Sequence, residues 1–294
     1  MARYITNLKD LGKDLAWTLL QQARGIPEAK GIDDFLEDKT FVLLFAKSDL
    51  SERLCVTAAI RQMRGHAVYM GPEEKWEETV SQFPAALMGS IRYYMDGVIV
   101  YGMRASQWQP GPEVDFPVLN VGSMDAHPAH AIADIACMMR YCHDDLRKVR
   151  IAWIGAPTGT MFSLMEATMF FPFAMQIALP DMYRNPIYET LASDYMSDIT
   201  FFETPKEAVK NCQFVFAGNS GRGMLSLEQI NRWSLTREIM SHAEDNAHVL
   251  LGTAPMKAIP IENEVIGSKN ALLLLQAENR LRVYKRMLHW LYEY

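Results

Sequence analysis

Two histidines and an aspartate at helical spacing are the residues of this chain best placed to do chemistry. His127 stands directly before Pro128, and His130 and Asp134 follow it at i+3 and i+7. Proline suits the first position of a helix because its missing N–H would be unpaired there anyway. A helix opening at Pro128 therefore puts the three side chains on one face, where an imidazole can exchange a proton near neutral pH. His-His-Asp on one face also imitates a metal site, but no further ligand accompanies it in the sequence and no metal is assigned. A histidine ahead of such a helix can equally cap or pack it. Asp49-Leu50-Ser51-Glu52-Arg53 has the spacing of a capping box, in which Asp49 accepts from the backbone N–H groups that open a helix. Those N–H groups would otherwise suit a bound anion. Gly155-Ala156-Pro157-Thr158-Gly159-Thr160 lacks both the Rossmann spacing and the P-loop lysine, which excludes a nucleotide site there. The Gly-rich stretch from Ala217 to Met224 has one charge, Arg222, able to clamp a carboxylate or simply to sit in water.

These residues need elements to hold them, and the apolar pattern supplies an alternation of helix and strand. Leu15, Leu19 and Ala23 repeat at helical spacing over residues 12–25. Lys39 to Phe45 is a continuous apolar run of the kind a buried parallel strand shows. Val56, Ala59, Ile60 and Met63 mark a second helix; Ala67–Met70, Gly97–Tyr101 and Val118–Val121 read as further strands, four in this half. The helix from Pro128 continues toward Lys148 through Ile132, Ile135, Ala136 and Met139. A second series starts at Val149–Gly155, with strands near 176–179, 199–202, 213–216 and 248–251. Thr204-Pro205-Lys206-Glu207 predicts a capped helix start, and 270–294 a long closing helix. The expected class is α/β: two doubly wound parallel-sheet domains joined by a helix. The boundaries expected are 1–139 for the first, with 270–294 packing back on it, and 140–269 for the second.

Composition excludes several functions. The chain has 294 residues, 49% hydrophobic and 22% charged, ordinary globular usage with enough length for two cores. Its longest apolar runs fall far short of the roughly 20 residues that cross a bilayer. The N-terminus lacks the apolar run of a secretory signal, so a cytoplasmic location is expected. Four cysteines without a CxxC pair suggest neither disulfides nor a zinc ribbon. A net charge of -6 with no dense basic block argues against nucleic acid. Small molecules and other protein chains are the partners to expect.

The order of these segments resembles the aspartate/ornithine carbamoyltransferase superfamily over nearly the whole chain. Phe45–Arg53 followed by Arg61–Ala67 is similar to the family's phosphate loop, helix and next strand. Met95–Val100, His127–Asp134 for the family's HPxQxLxD, Ser163-Leu164-Met165, and Gln276–Leu281, closer to the ornithine branch, extend the match. The resemblance implies a homotrimer with shared active sites, no cofactor, carbamoyl phosphate on the N-terminal domain and an amino-acid nucleophile on the C-terminal one.

Carried over residue by residue, the family's Ser-Thr-Arg-Thr-Arg phosphate run falls on Asp49, Leu50, Ser51, Glu52 and Arg53, of which only Arg53 is kept. A further family arginine falls on Tyr101. His127 matches the histidine that polarises the carbamoyl oxygen, and His130 replaces a glutamine that contacts the carbamoyl group. The HCLP turn falls on Gly252-Thr253-Ala254-Pro255, where Thr253 still offers a hydroxyl. Arg280 is kept, and with Arg53 it suits one anionic group or, alternatively, a surface ion pair. Two unit charges about 4 Å apart interact by roughly 4 kcal/mol at an effective dielectric near 20, so Asp49 and Glu52 should repel a phosphate. The expectation is a transcarbamoylase-like enzyme acting on an amino-acid-type or other small molecule without ordinary use of carbamoyl phosphate. The alternative is a catalytically inactive homologue serving as trimeric scaffold or regulatory partner.

Overall fold

The structure, a computed structural model, describes residues 4–25, 34–76, 78, 84–104, 117–195, 198–221, 223–254 and 257–292. It divides into two compact units, Met1–Ala133 with Ala277–Tyr294, and Asp134–Gln276. Among the described residues no helix is long and apolar enough to cross a membrane.

The first unit is built on strands β1 (Tyr4–Ile5), β2 (Thr40–Phe45), β3 (His66–Met70), β4 (Gly97–Tyr101) and β5 (Val118–Asn120). They form one sheet in the order β1-β5-β4-β2-β3, and every pairing is parallel. β2 is central, and Phe41 to Phe45 are buried, which is why its sequence is an unbroken apolar run. Its helices include α1 (Gly12–Gly25), α2 (Leu50–Gln62), α3 (Pro84–Tyr94) and α4 (Pro128–Tyr141), the last running on into the second unit, and the closing helix Leu273–Tyr292 ends in it. From β2 the chain goes to β3 on one side and then returns to β4 on the other. The strand order therefore reverses between β2 and β4, the place where open α/β sheets leave a crevice at their carboxyl ends.

The sequence pattern missed β1, so this sheet has five strands where four were expected. Two residues cannot display a period. They pair all the same, Tyr4 with Val118 and Ile5 with Leu119, and the Asn120 amide fixes the segment by donating to Thr6 O at 2.7 Å.

The second unit repeats the plan with β6 (Arg150–Ile154), β7 (Ala174–Ala178), β8 (Ile199–Phe202), β9 (Phe214–Ala217) and β10 (His248–Leu251). Their order is β10-β9-β6-β7-β8, again all parallel, with the reversal between β6 and β9. Ala152, Ile154, Val215, Ala217 and Val249 lie in its core. The expected box at Thr204 forms: Glu207 N donates to Thr204 Oγ1 at 3.3 Å, and Thr204 N donates to the Glu207 carboxylate at 3.2 Å.

Two helices are shorter than their patterns predicted. α4 stops at Tyr141 instead of running toward Lys148, because His143 and Asp144 take left-handed backbone angles (φ 50° and 66°) before a short 3-10 turn at Leu146–Lys148. The closing helix begins at Leu273 instead of Asn270. Val249 N donates to Asn270 O and Leu272 N to Val249 O, so those residues extend β10's ladder first.

Candidate functional site

The polar residues of the first unit gather where its strand order reverses. Asp49 ends the turn after β2 with extended backbone angles (φ -145°, ψ 107°), and its Oδ1 accepts from Glu52 N at 3.2 Å. Tyr101, the last residue of β4, donates its O–H to Asp49 Oδ2 at 2.9 Å. Burial, then the Asp49 carboxylate, push the Tyr101 phenol well above its ordinary pKa, so it stays a donor. The Tyr101 ring stacks on Phe45, centroids 4.9 Å apart. The cap thus bonds across the switch point.

The other half of the expected capping box does not form. Glu52 is 4% exposed, and its side chain turns away from the Asp49 backbone into the unit. His130 Nε2 lies 2.5 Å from Glu52 Oε1, and Tyr284 donates its O–H to Oε2, also at 2.5 Å. Because a carboxylate only accepts, His130 carries its proton on Nε2. His127 Nε2 is 3.8 Å from Oε2. The two imidazoles, one turn apart at the start of α4, stack with centroids 3.4 Å apart and planes within 17°. Arg280 and Tyr284 are likewise one turn apart on the closing helix, which brings the guanidinium into the same buried group.

Burial dominates the electrostatics. It holds His130 well below the ordinary histidine range, and Arg280 adds to the shift. His127 is lowered by burial and then by His130; Glu52 pulls it upward, and Arg280 adds a smaller lowering. Both rings are therefore neutral at pH 7. Tyr284 is raised by burial and by Glu52, and the Cys55 thiol, one turn beyond Glu52, is pushed up to about 12, which removes it as a nucleophile. The site offers a carboxylate, two neutral imidazoles, a phenol and a guanidinium, enough to orient a polar group or move a proton.

Glu52, His127 and His130 are also the residues that could converge on a metal, each offering one ligand atom within 4.8 Å of the others. Both imidazoles turn Nε2 toward the Glu52 carboxylate, His130 within hydrogen-bond distance, and the nearby Arg280 charge opposes a cation, so the arrangement suits hydrogen bonding better than ligation. Asp134, the expected third member of the face, instead accepts from Gln276 Nε2 at 2.7 Å. The carboxylate beside the histidines comes from α2.

Of the remaining candidates, Ser51 is exposed, and so is Arg53, whose guanidinium lies 3.7 Å over the Tyr69 ring. In the second unit, Thr253 is half-buried, and Arg222 and Pro255 lie outside the described residues. Gly252 accounts for the missing side chain at the turn before Thr253: a Cβ there would lie 2.2 Å from the Trp153 ring. The loop after β9 meets the one after β6 through Ala156 and Asn219, at that sheet's own reversal point. A cavity of about 510 Å³ lies at the opposite, amino ends of β9 and β10, beside Phe214 and His248.

Sequence reasoning overlooked three residues that shape the site. Tyr284 was legible as a phenol one turn from Arg280 on a helix face otherwise apolar at Leu288 and Leu291. Gly122 has φ 134°, and a Cβ there would lie 2.8 Å from the Tyr101 ring and 2.9 Å from His127 Nε2. Asn120 Oδ1 accepts from Gly122 N at 2.9 Å and fixes that turn; nothing local in the sequence marked it.

Residues 3–140 match the carbamoyl-P binding domain of the aspartate/ornithine carbamoyltransferase family, and residues 147–291 its Asp/Orn binding domain. The chain belongs to the aspartate/ornithine carbamoyltransferase family. It is similar to the ornithine carbamoyltransferase of Oleidesulfovibrio alaskensis, 26% identical over 302 residues with all of both chains covered. That of Archaeoglobus fulgidus is 25% identical over 300 residues, covering 97% of this chain and 96% of its own. The solved ornithine carbamoyltransferase of Pyrococcus furiosus superposes with a TM-score of 0.84 at 21% identity, covering 98% of this chain and 96% of that one. For the Thermus thermophilus enzyme the score is 0.82 at 20% identity, with 99% of each chain covered. Both domains of this carbamoyltransferase-family chain thus have the transcarbamoylase fold.

Proposed function

We propose that this chain is a transferase on the carbamoyltransferase scaffold that acts on an amino-acid-type or other small-molecule substrate and does not use carbamoyl phosphate in the ordinary way. The observation behind the reading is the side chain of Glu52, buried at the start of α2 and accepting from His130 and Tyr284. With Asp49 it sets two acids at a helix start that the resemblance assigns to phosphate. Helix-terminal attraction for an anion is typically 0.3–1 kcal/mol, and about 2 in partly buried sites, whereas each acid about 4 Å from a phosphate charge opposes it by roughly 4. Repulsion wins. Glu52 N, one of the N–H groups a phosphate would use, is already bonded to Asp49.

His127 and His130 supply neutral imidazoles beside Arg280, a setting for polarising a carbonyl or moving one proton. Arg222 and Thr253, with Arg53, Ser51 and Tyr101, are the further groups we assign to substrate, and a homotrimer in the cytoplasm is the assembly we assign. A second reading, an inactive homologue serving as scaffold or regulatory partner, is favoured by one feature: both Glu52 oxygens already have donors inside the protein.

The test is ligand-induced stabilisation. A ligand at 100 times its dissociation constant adds about 2.7 kcal/mol, a visible rise in melting temperature. Millimolar carbamoyl phosphate is expected to leave the melting temperature unchanged, and a clear rise would refute the reading. A metabolite screen separates enzyme from scaffold: a hit that the protein turns over, and that His127→Ala turns over far more slowly, selects the enzyme.

A further inference from the structure

The Glu52 carboxylate is held as a bound ligand would be. Its two oxygens meet two different donors on two different helices, His130 Nε2 from α4 and the Tyr284 hydroxyl from the closing helix, each at 2.5 Å. Both donors are more than nine-tenths buried, at 5% and 0% exposure, and Arg280 at 9% brings the compensating positive charge. Glu52's own N–H is taken by Asp49, so the cradle consists of side chains from elsewhere in the unit and does not depend on the helix start. A cradle with one donor per oxygen and a nearby guanidinium selects a planar, two-oxygen anion.

We propose that this cradle is a carboxylate-binding site whose resident ligand is Glu52 itself, and that shortening Glu52 converts it into a site for a small free carboxylate. The inference rests on the functional reading above, because a protein that holds its own anion here has no place for one from solution. Deleting the carboxylate leaves the buried His130 and Tyr284 donors without the acceptor they share. Such a site favours an anion that restores the lost hydrogen bonds over donors left desolvated and unpaired.

The experiment follows melting temperature for the wild type, Glu52→Ala and Glu52→Gln in formate, acetate, inorganic phosphate and chloride at constant ionic strength, and for the wild type and Glu52→Gln with added zinc. Glu52→Ala is expected to melt below the wild type and to recover saturably with formate or acetate but not with chloride. The wild type and Glu52→Gln should not respond, since their sites are filled. Adding Tyr284→Phe to Glu52→Ala should raise the half-saturating formate concentration roughly tenfold, the usual loss when one hydrogen bond to a charged group is removed. If Glu52→Ala folds only when acetate is present, the proposal is equally supported. If it does not fold at all, Glu52→Thr serves for the same titration. Overturning results are a Glu52→Ala or Glu52→Thr protein no more responsive to carboxylates than the wild type, or a wild-type rise with zinc that Glu52→Gln abolishes, which would make Glu52 a metal ligand. A wild-type rise with carbamoyl phosphate refutes the functional reading whatever the variants do. Silent variants beside a silent wild type refute only this inference.

Discussion

Neutral, buried imidazoles tie the site to pH. His127 and His130 have folded-state pKa values well below the ordinary 6.5, first because burial disfavours their charged forms. The unfolded chain keeps the ordinary value, so it binds more protons than the folded one once pH drops below about 6.5. The stability of this pair is therefore complete above about pH 6.5 and declines as pH falls below it, by up to about 1.4 kcal/mol per pH unit for each ring. Guanidinium midpoints on either side of that value should show a steeper acid loss for the wild type than for the double variant His127→Gln/His130→Gln. Equal slopes would mean the rings already titrate normally in the folded protein. Spacing together with the family resemblance made His127, His130 and Asp49 legible as candidates. What escaped was the destination of Glu52: a capping-box glutamate can return to its own helix start or turn inward, and the phenol that draws it inward lies 232 residues further on.

At the scale of elements, α2 shows what a cap does when it has a second duty. Asp49 accepts both from the helix and from Tyr101, whereas Thr204 caps its short helix at an exposed position. Losing an N-cap typically costs about 1 kcal/mol, and the half-buried Tyr101 hydroxyl left without its acceptor about 1 more, the low end of the loss for a buried group. Asp49→Ala should thus destabilise by roughly twice as much as Thr204→Ala in urea titrations. Equal losses would show that the bond from Tyr101 contributes nothing. Elements buried on both faces were the easiest to read, since β2 and β4 had to be apolar throughout to be central. β1 was invisible because its place depends on pairing with β5, and the early end of α4 depends on left-handed residues at His143 and Asp144 that carry no apolar signal.

For the molecule as a whole, similarity along the full length sets the assembly to be tested. Both halves of the chain match one family from residues 3 to 291, so its proposed homotrimer is an expectation for the entire protein and not for one domain. The first unit has a feature that such an assembly would explain. Leu50 and Leu54, one turn apart on α2, are 70% and 61% exposed on the helix that carries Asp49 and Glu52. Adjacent exposed leucines are an apolar patch that a second copy of the chain would cover, and closed rotational symmetry repeats the same contact at every boundary. Light scattering at micromolar concentration should then give the mass of three 33.5 kDa chains. Leu50→Glu/Leu54→Glu should shift the protein toward monomer while its circular dichroism stays native. A monomeric wild type would remove the trimer, and a trimer unaffected by both glutamates would move the contact off α2. In that last case the two leucines would be left as ordinary exposed apolar residues, and the start of α2 would lie clear of any subunit boundary.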